Sequence, residues 1–278
     1  MSSPVEEYAL TTDAEELLRL GFQHRLWSSE TQALWRRAGI VRGQRVLDLG
    51  CGPGYASFEL AELVGPEGRV LAVDAAERFL AFLRAQKAAR ERAGQAWPQL
   101  EIAQGDACAL ELPEASFDCV YSRWMLCWVA RPEEAFRRAA RALAPGGVLA
   151  LQDYFNYRAM TLAPRSPAFD RLLAGILAKW SATAGDSDVI GHVPDWCERE
   201  GLELLELRVA AHASRPGEPL WDWPATFWKS FVPTLVEGGY LTPDDAERFF
   251  AEWALRERER RGFFFAPPVF EVLARKRR

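Results

Sequence analysis

The stretch VLDLGCGPGYASF, residues 46–58, decides the fold of this chain. Its apolar first half is typical of a buried strand, and its second half begins a helical pattern. Between them lie Gly50, Gly52 and Gly54, at alternate positions. Glycines in a strand-to-helix turn allow a ligand to approach the backbone closely. The stretch therefore predicts a binding crevice at the carboxyl end of a strand.

Strands and helices alternate on either side of this turn. Apolar runs predict strands at residues 45–50, 69–74, 100–105, 117–123 and 148–153, and helical patterns lie at 54–64, 76–93 and 132–143. Strands joined by crossover helices form a mainly parallel sheet with helices on both faces. The continuous apolar runs VLAV and VLALQ indicate strands that are buried on both sides. The predicted fold class is α/β.

The second half of the chain is richer in helices. Helices are predicted at 167–182, 193–200, 223–236 and 242–261, and two further strands at 202–209 and 263–275, which brings the strands to seven. We divide the chain into an N-terminal helical lid (1–40), a core (41–155), a helical insertion (156–201) and the last two strands with a cap insertion (202–278, the cap at about 214–262). A long insertion of this kind is more often a functional cap than a plain connection.

Composition restricts the classes of function. The net charge of −5 disfavours a large anionic partner such as duplex DNA. The five cysteines form no CxxC pair and no metal-ligand spacing, which predicts reduced thiols, a cytoplasmic location and no metal. Residues 1–20 are acidic and lack the apolar region of a signal peptide, and no apolar run is long enough to span a membrane.

The spacing of the glycines bears on the kind of ligand. Dinucleotide sites carry G-x-G-x-x-G, whereas this turn is G-x-G-x-G. Asp48 precedes the first glycine by two positions, and its carboxylate would repel a pyrophosphate but attract an ammonium group. Asp74 ends the second strand, where a carboxylate can accept from both hydroxyls of a ribose. Asp106 follows the third strand and could accept from an adenine amine, and the small residues Ala75 and Ala107 leave room for a flat ring.

Together these residues resemble the class I S-adenosylmethionine-dependent methyltransferases. The resemblance covers residues 42–154 and is carried by five ordered segments, VLDLGCGPG, VLAVD, GDA, FDCVYSR and RALAPGGVLALQD. It implies a Rossmann-like sheet with S-adenosylmethionine as cofactor. It assigns the glycine turn with Cys51 to the methionine part, Asp74 to the ribose, Asp106 with Ala107 to the adenine, and Arg123 with Trp124 to the carboxylate and the methyl-transfer side. Where relatives often have a histidine after the fourth strand, this chain has Cys127.

The family's reaction transfers a methyl group from a sulfonium to a nucleophile. Alignment of the two reactants can supply on the order of 7–11 kcal/mol, and a general base adds about 10²–10⁴-fold where the nucleophile must lose a proton. His24, His192, Asp153 and Tyr154 are the candidates for that base or for an orienting group, although an ordinary hydrogen-bonded role is the commoner one for each histidine.

Tryptophans concentrate in the second half of the chain. Six lie after residue 170: Trp180, Trp196, Trp221, Trp223, Trp228 and Trp253. They predict either the core of the cap helices or an aromatic pocket for a hydrophobic acceptor. We therefore expect methylation of a small molecule on oxygen, nitrogen or carbon, as in secondary metabolism, without a nucleic-acid or membrane partner. The alternatives are a tRNA or rRNA methyltransferase and an NAD(P)-dependent oxidoreductase. The oligomeric state stays open.

Overall fold

The computed structural model describes residues 14–183 and 185–278. The first 13 residues of the predicted N-terminal lid lie outside the described residues. Its remainder forms helices α1 (Ala14–Leu26) and α2 (Ser28–Ala38). The strands are β1 (Arg45–Leu49), β2 (Arg69–Asp74), β3 (Leu100–Gln104), β4 (Phe117–Arg123), β5 (Leu143–Tyr154), β6 (Thr161–Ala163), β7 (Leu202–Ala210), β8 (Ala213–Ser214), β9 (Phe263–Phe265) and β10 (Val269–Lys276). The other helices are α3 (Tyr55–Val64), α4 (Glu77–Arg92), α5 (Pro132–Ala142), α6 (Pro167–Ala182), α7 (Val193–Arg199), α8 (Pro219–Glu237) and α9 (Pro243–Glu259).

A seven-stranded sheet forms the centre of the described chain, in the order β3-β2-β1-β4-β5-β10-β7. Strands β1 to β5 pair in parallel, and β10 is antiparallel to both of its neighbours. The predicted fold class, a mostly parallel seven-stranded α/β sheet, is confirmed. Strand order reverses between β1 and β4, and in open α/β sheets such a switch point opens a crevice at the carboxyl ends of the strands. The glycine turn follows β1 at this point.

The end of the chain departs from the prediction. The sequence pattern predicts a last strand over residues 263–275 that Pro267 and Pro268 break or bulge, but β9 and β10 belong to different sheets. Pro267 and Pro268 separate them, and because proline has no N–H to give to a ladder, the two strands cannot run on as one. Strand β9 instead pairs with β6 and β8 in a small three-stranded sheet. The sequence did not indicate this sheet, because strands of two or three residues are too short to show a strand pattern.

The two cap helices are bounded by local signals. Thr242 caps α9, where its hydroxyl accepts from the Asp245 amide and the Asp245 carboxylate accepts in return from the Thr242 amide. Helix α8 begins four residues earlier than predicted, because Pro219 occupies its first turn. None of the described helices is long and apolar enough to cross a membrane.

The N-terminal helices pack onto the cap through Trp27. Its indole is buried, and its ring centroid lies 5.5 Å from that of Trp124 and 5.2 Å from that of Trp223. Trp124 follows β4, and Trp223 belongs to α8. This cluster of three indoles therefore joins the lid, the sheet and the cap around the carboxyl ends of the strands.

Candidate functional site

A large cavity of about 1620 Å³ opens at the carboxyl ends of the parallel strands. Its walls include the turns after β1, β2 and β3, the segment after β4, and side chains of α1, α6 and α8. Small-molecule sites usually measure about 300–1,000 Å³. The cavity is therefore large enough for two molecules bound side by side.

The glycine turn forms part of the cavity wall. Gly50, Gly52 and Gly54 all have positive φ, at 76°, 54° and 79°. A Cβ on Gly50 would lie 2.4 Å from Cγ of Met125, whereas one on Gly52 would meet open space. Gly50 and Gly52 line the cavity, but Gly54 lies outside the lining residues. Its missing side chain makes room for Leu83 of α4, whose Cδ1 would lie 2.3 Å from a Cβ.

Asp48 lies beneath this turn and lines the cavity. Its carboxylate is almost fully buried and accepts a 2.5 Å hydrogen bond from the Ser57 hydroxyl. Burial raises the pKa of Asp48 to about 6, while the Ser57 bond and the Arg123 charge oppose that rise. At neutral pH the group is thus an anion at the cavity wall, which fits the predicted attraction for an ammonium group.

The two other acidic residues also line the cavity. Asp74 accepts from the backbone amides of Gly52, at 2.7 Å, and Ala76, at 2.8 Å, so its carboxylate fixes the shape of the glycine turn. Burial raises the pKa of Asp74, and the backbone hydrogen bonds oppose that rise. Asp106 is exposed and accepts from the Cys108 amide at 2.8 Å. The remaining lining residues among the predicted cofactor contacts are Cys51, Ala75, Ala107, Arg123 and Trp124.

Arg123 is held by the N-terminal helices. Its guanidinium donates to the Thr31 hydroxyl at 2.8 Å, and a second nitrogen lies 3.0 Å from Nδ1 of His24. The other ring nitrogen of His24 lies 2.9 Å from a Glu59 oxygen. With the proton on Nε2, the ring donates to Glu59 and accepts from Arg123. His24 thus orients Arg123 and does not itself line the cavity.

The predicted base candidates do not converge. Tyr154 lines the cavity, and burial raises its pKa far above the usual range, so its hydroxyl keeps its proton. Asp153 is buried behind the wall, where it accepts from the amides of Cys127 and Tyr154, and burial raises its pKa to about 6. His192 is exposed and lies beside Asp186, away from the lining residues. Like His24, these two are placed outside the wall, and only Tyr154 could touch a ligand directly.

Aromatic side chains form the cap side of the cavity. Three of the six late tryptophans, Trp180, Trp223 and Trp228, line it, whereas Trp196, Trp221 and Trp253 pack in the core. The first three are therefore placed where an aromatic pocket was predicted, and their contact with an acceptor stays a prediction. Phe227 and Phe231, which the sequence groups with these tryptophans, also line the cavity. Lining residues that the sequence did not indicate include Arg19, Gln23, Trp128, Tyr157 and Lys179. Arg19 and Gln23 are spaced four residues apart on one face of α1, and this spacing is the signal that could have found them.

The donor set fits S-adenosylmethionine at the strand side. Two carboxylates stand where a ribose and an adenine were expected, an anion and a cation face the predicted methionine end, and the glycine turn leaves its backbone accessible. When bound, this cofactor supplies a methyl group activated by its sulfonium. The residues of the cap can then orient and desolvate a second molecule beside it.

Comparison with known proteins agrees with this geometry. Residues 47–151 match the model of a methyltransferase domain family. A ubiquinone/menaquinone biosynthesis C-methyltransferase UbiE from Ectopseudomonas oleovorans is 38% identical over 127 residues, which cover 46% of this chain and 71% of the relative. One from Pseudomonas entomophila is 37% identical over 134 residues, covering 48% of this chain and 50% of the relative. The chain thus spans about half the length of the first such relatives.

Solved structures extend the likeness of fold beyond that segment. A candidate methyltransferase from Bacillus halodurans C-125 aligns over 90% of this chain and 100% of its own, with a TM-score of 0.61 and 22% identity. Such a low identity shows the fold alone. With the family match and the UbiE relatives, the chain belongs to the class I S-adenosylmethionine-dependent methyltransferases. The cofactor of this family is S-adenosylmethionine, as the sequence motifs implied.

Proposed function

We propose that this chain transfers a methyl group from S-adenosylmethionine to a small hydrophobic or aromatic molecule bound on the cap side. The observation that carries the proposal is one continuous cavity, whose wall includes Asp74 and Asp106 at one side and aromatic residues of α6 and α8 at the other. A cofactor bound along the strand ends would present its methyl group toward the cap. The aromatic walls exclude water and orient the acceptor.

The acceptor atom is part of the proposal. The curated relatives are named for C-methylation in ubiquinone and menaquinone biosynthesis. We therefore expect methylation on a ring carbon of an electron-rich aromatic acceptor before methylation on a phenolic oxygen or an amine nitrogen. With Asp153 and His192 placed off the cavity wall, we expect positioning to contribute more than a strong general base.

A labelled-methyl assay tests this function. The full chain is incubated with S-adenosylmethionine that carries a labelled methyl group, together with hydroquinones, phenols and aromatic amines, and label in the product is measured. We expect transfer to at least one aromatic acceptor and none to tRNA. Transfer to tRNA alone would favour the nucleic-acid alternative.

Cofactor binding is measured separately by calorimetry. We expect S-adenosylhomocysteine to bind and NADH not to bind. Tight NADH binding without S-adenosylhomocysteine binding would favour the oxidoreductase and contradict the proposal.

A further inference from the structure

A row of aromatic rings runs along the cavity from the sheet to the cap. Ring centroids are 6.2 Å apart between Trp124 and Tyr154, 6.3 Å between Tyr154 and Trp180, 4.5 Å between Trp180 and Trp128, and 6.5 Å between Trp128 and Phe231. All five residues line the cavity. The row starts next to the strand-side residues and ends on α8.

Lys179 lies at the cap end of this row. Its ammonium nitrogen is 4.8 Å from the centroid of Phe231, and it donates a hydrogen bond to the Thr234 hydroxyl. Lys179 and Thr234 both line the cavity. An ammonium group has three N–H donors, and the hydroxyl accepts from one of them. Within the described part of the chain no further hydrogen bond of this ammonium is formed, so its other two donors are available to a ligand at this end of the cavity.

The surroundings of the positive charge on Lys179 differ from those of the charge on Arg19, which also lines the cavity on the cap side. Arg19 forms a two-bonded ion pair with Glu16, with both distances at 2.6 Å. Among the residues that the structure describes, no carboxylate lies within ion-pair distance of Lys179. Burial lowers the pKa of Lys179, and the more distant Glu237 opposes this. A partly buried cation without an anion beside it would gain by binding an anionic ligand group.

From this arrangement we infer that the acceptor is an elongated aromatic molecule with an anionic end group. The anionic group binds Lys179, the rings lie along the aromatic row, and the opposite end reaches the Trp124 side, where methyl transfer is proposed. The inference rests on the proposed function, because it names the class of acceptor for the same cavity. It also assigns Lys179 as the residue that selects anionic over neutral acceptors.

A pair of probes that differ only in charge tests the inference. Biphenyl-4-carboxylate and biphenyl-4-carboxamide have the same ring system, and their binding to the full chain is measured by calorimetry in the presence of S-adenosylhomocysteine. We expect the carboxylate to bind on the order of tenfold more tightly, because a charge-assisted hydrogen bond is about twice as strong as a neutral one. In Lys179→Met this preference should disappear, and in Lys179→Arg it should persist.

Lys229 supplies the matched control. It is an exposed lysine of α8 that does not line the cavity, so Lys229→Met should keep the preference for the carboxylate. Lys179→Gln, which retains a donor for Thr234, serves as a second neutral variant in case the methionine disturbs folding. Equal binding of the two probes by the wild type, binding of neither, or a preference that survives both neutral variants would overturn the inference. Because this assay requires no methyl transfer, its failure is distinct from failure of the labelled-methyl assay.

Discussion

The strand side and the cap side of the cavity are built in different ways. The strand side comes from short segments at the carboxyl end of a strand or directly after it, at residues 48–53, 74–78 and 105–109. The cap side comes from single side chains spread over α1, α6, α8 and the segments after β4 and β5. Local geometry therefore defines the first side, whereas the second exists only after distant helices have packed together. Mutations on the strand side should change the shape of the backbone and the affinity for the cofactor. Mutations on the cap side should change the binding of the acceptor.

The largest effect, a loss of folding stability, is expected at the glycine turn. Gly54→Ala places a Cβ at positive φ and 2.3 Å from Leu83, so strain of about 1–2 kcal/mol adds to overpacking of about 1–3 kcal/mol. We expect the free energy of unfolding to fall by about 2–5 kcal/mol in urea titrations. Gly52→Ala, which meets open space, should lose only the strain of about 1–2 kcal/mol. Equal losses in the two variants would contradict the packing role of Gly54.

The next effect concerns the predicted ribose contact. Asp74→Asn places an amide nitrogen where a carboxylate oxygen now accepts from Gly52 or Ala76. Loss of that acceptor and of a charged contact to the cofactor, about 1.5–3 kcal/mol, should raise the Kd of S-adenosylhomocysteine at least tenfold in calorimetry.

The control for that substitution lies at the opposite end of the sheet. Asp118 pairs with Arg45 near the amino end of β4 and does not line the cavity. Asp118→Asn should leave the Kd of S-adenosylhomocysteine unchanged. If both variants weaken binding alike, Asp74 has been misassigned.

A pH titration sharpens the role of Asp48. Its pKa of about 6 means that the carboxylate is mostly charged at pH 7.5 but about one quarter charged at pH 5.5. An attraction for a cofactor ammonium is present above this pKa and is lost as pH falls through it. The Kd of S-adenosylhomocysteine should therefore rise about fourfold as the pH falls from 7.5 to 5.5. Asp48→Asn should bind more weakly at pH 7.5 and show a flat profile. If the Kd of this variant still rises as the pH falls, the pH dependence belongs to another group.

The strand side of the cavity was predictable from the sequence for a physical reason. Tight turns, carboxylates at strand ends and apolar strands each leave a signal within a few residues, so the amino-acid sequence alone places Asp48, Asp74 and Asp106 at the ends or turns of strands. Gly54 shows the limit, because its contact is with Leu83 of the next helix rather than with the cavity. A glycine pattern does not distinguish room for a ligand from room for a neighbouring side chain.

The cap side was less predictable because its residues meet only through tertiary packing. Tryptophans in the second half indicated an aromatic pocket or a core, and three of the six lie at the cavity wall while the other three do not line it. Lys179 belongs to no sequence motif, and its place beside Phe231 depends on how α6 packs against α8. His24 was chosen as a candidate base by residue type, whereas its contact with Arg123 joins positions 99 residues apart.

The smallest effect is expected at His192. Its side chain is 60% exposed, pairs with Asp186 at 3.1 Å and stacks on Trp196, outside the lining residues of the cavity. Substitutions at such surface sites usually change stability by no more than about 0.5 kcal/mol, and a side chain off the cavity wall does not contact the reacting molecules. His192→Asn should therefore leave the methyl-transfer rate essentially unchanged, measured as formation of S-adenosylhomocysteine. Tyr154→Phe, which removes one hydroxyl from the cavity wall, should lower that rate. A tenfold loss in His192→Asn alone would mean that residues 186–196 close over the cavity during the reaction, and it would return His192 to the candidates for the base.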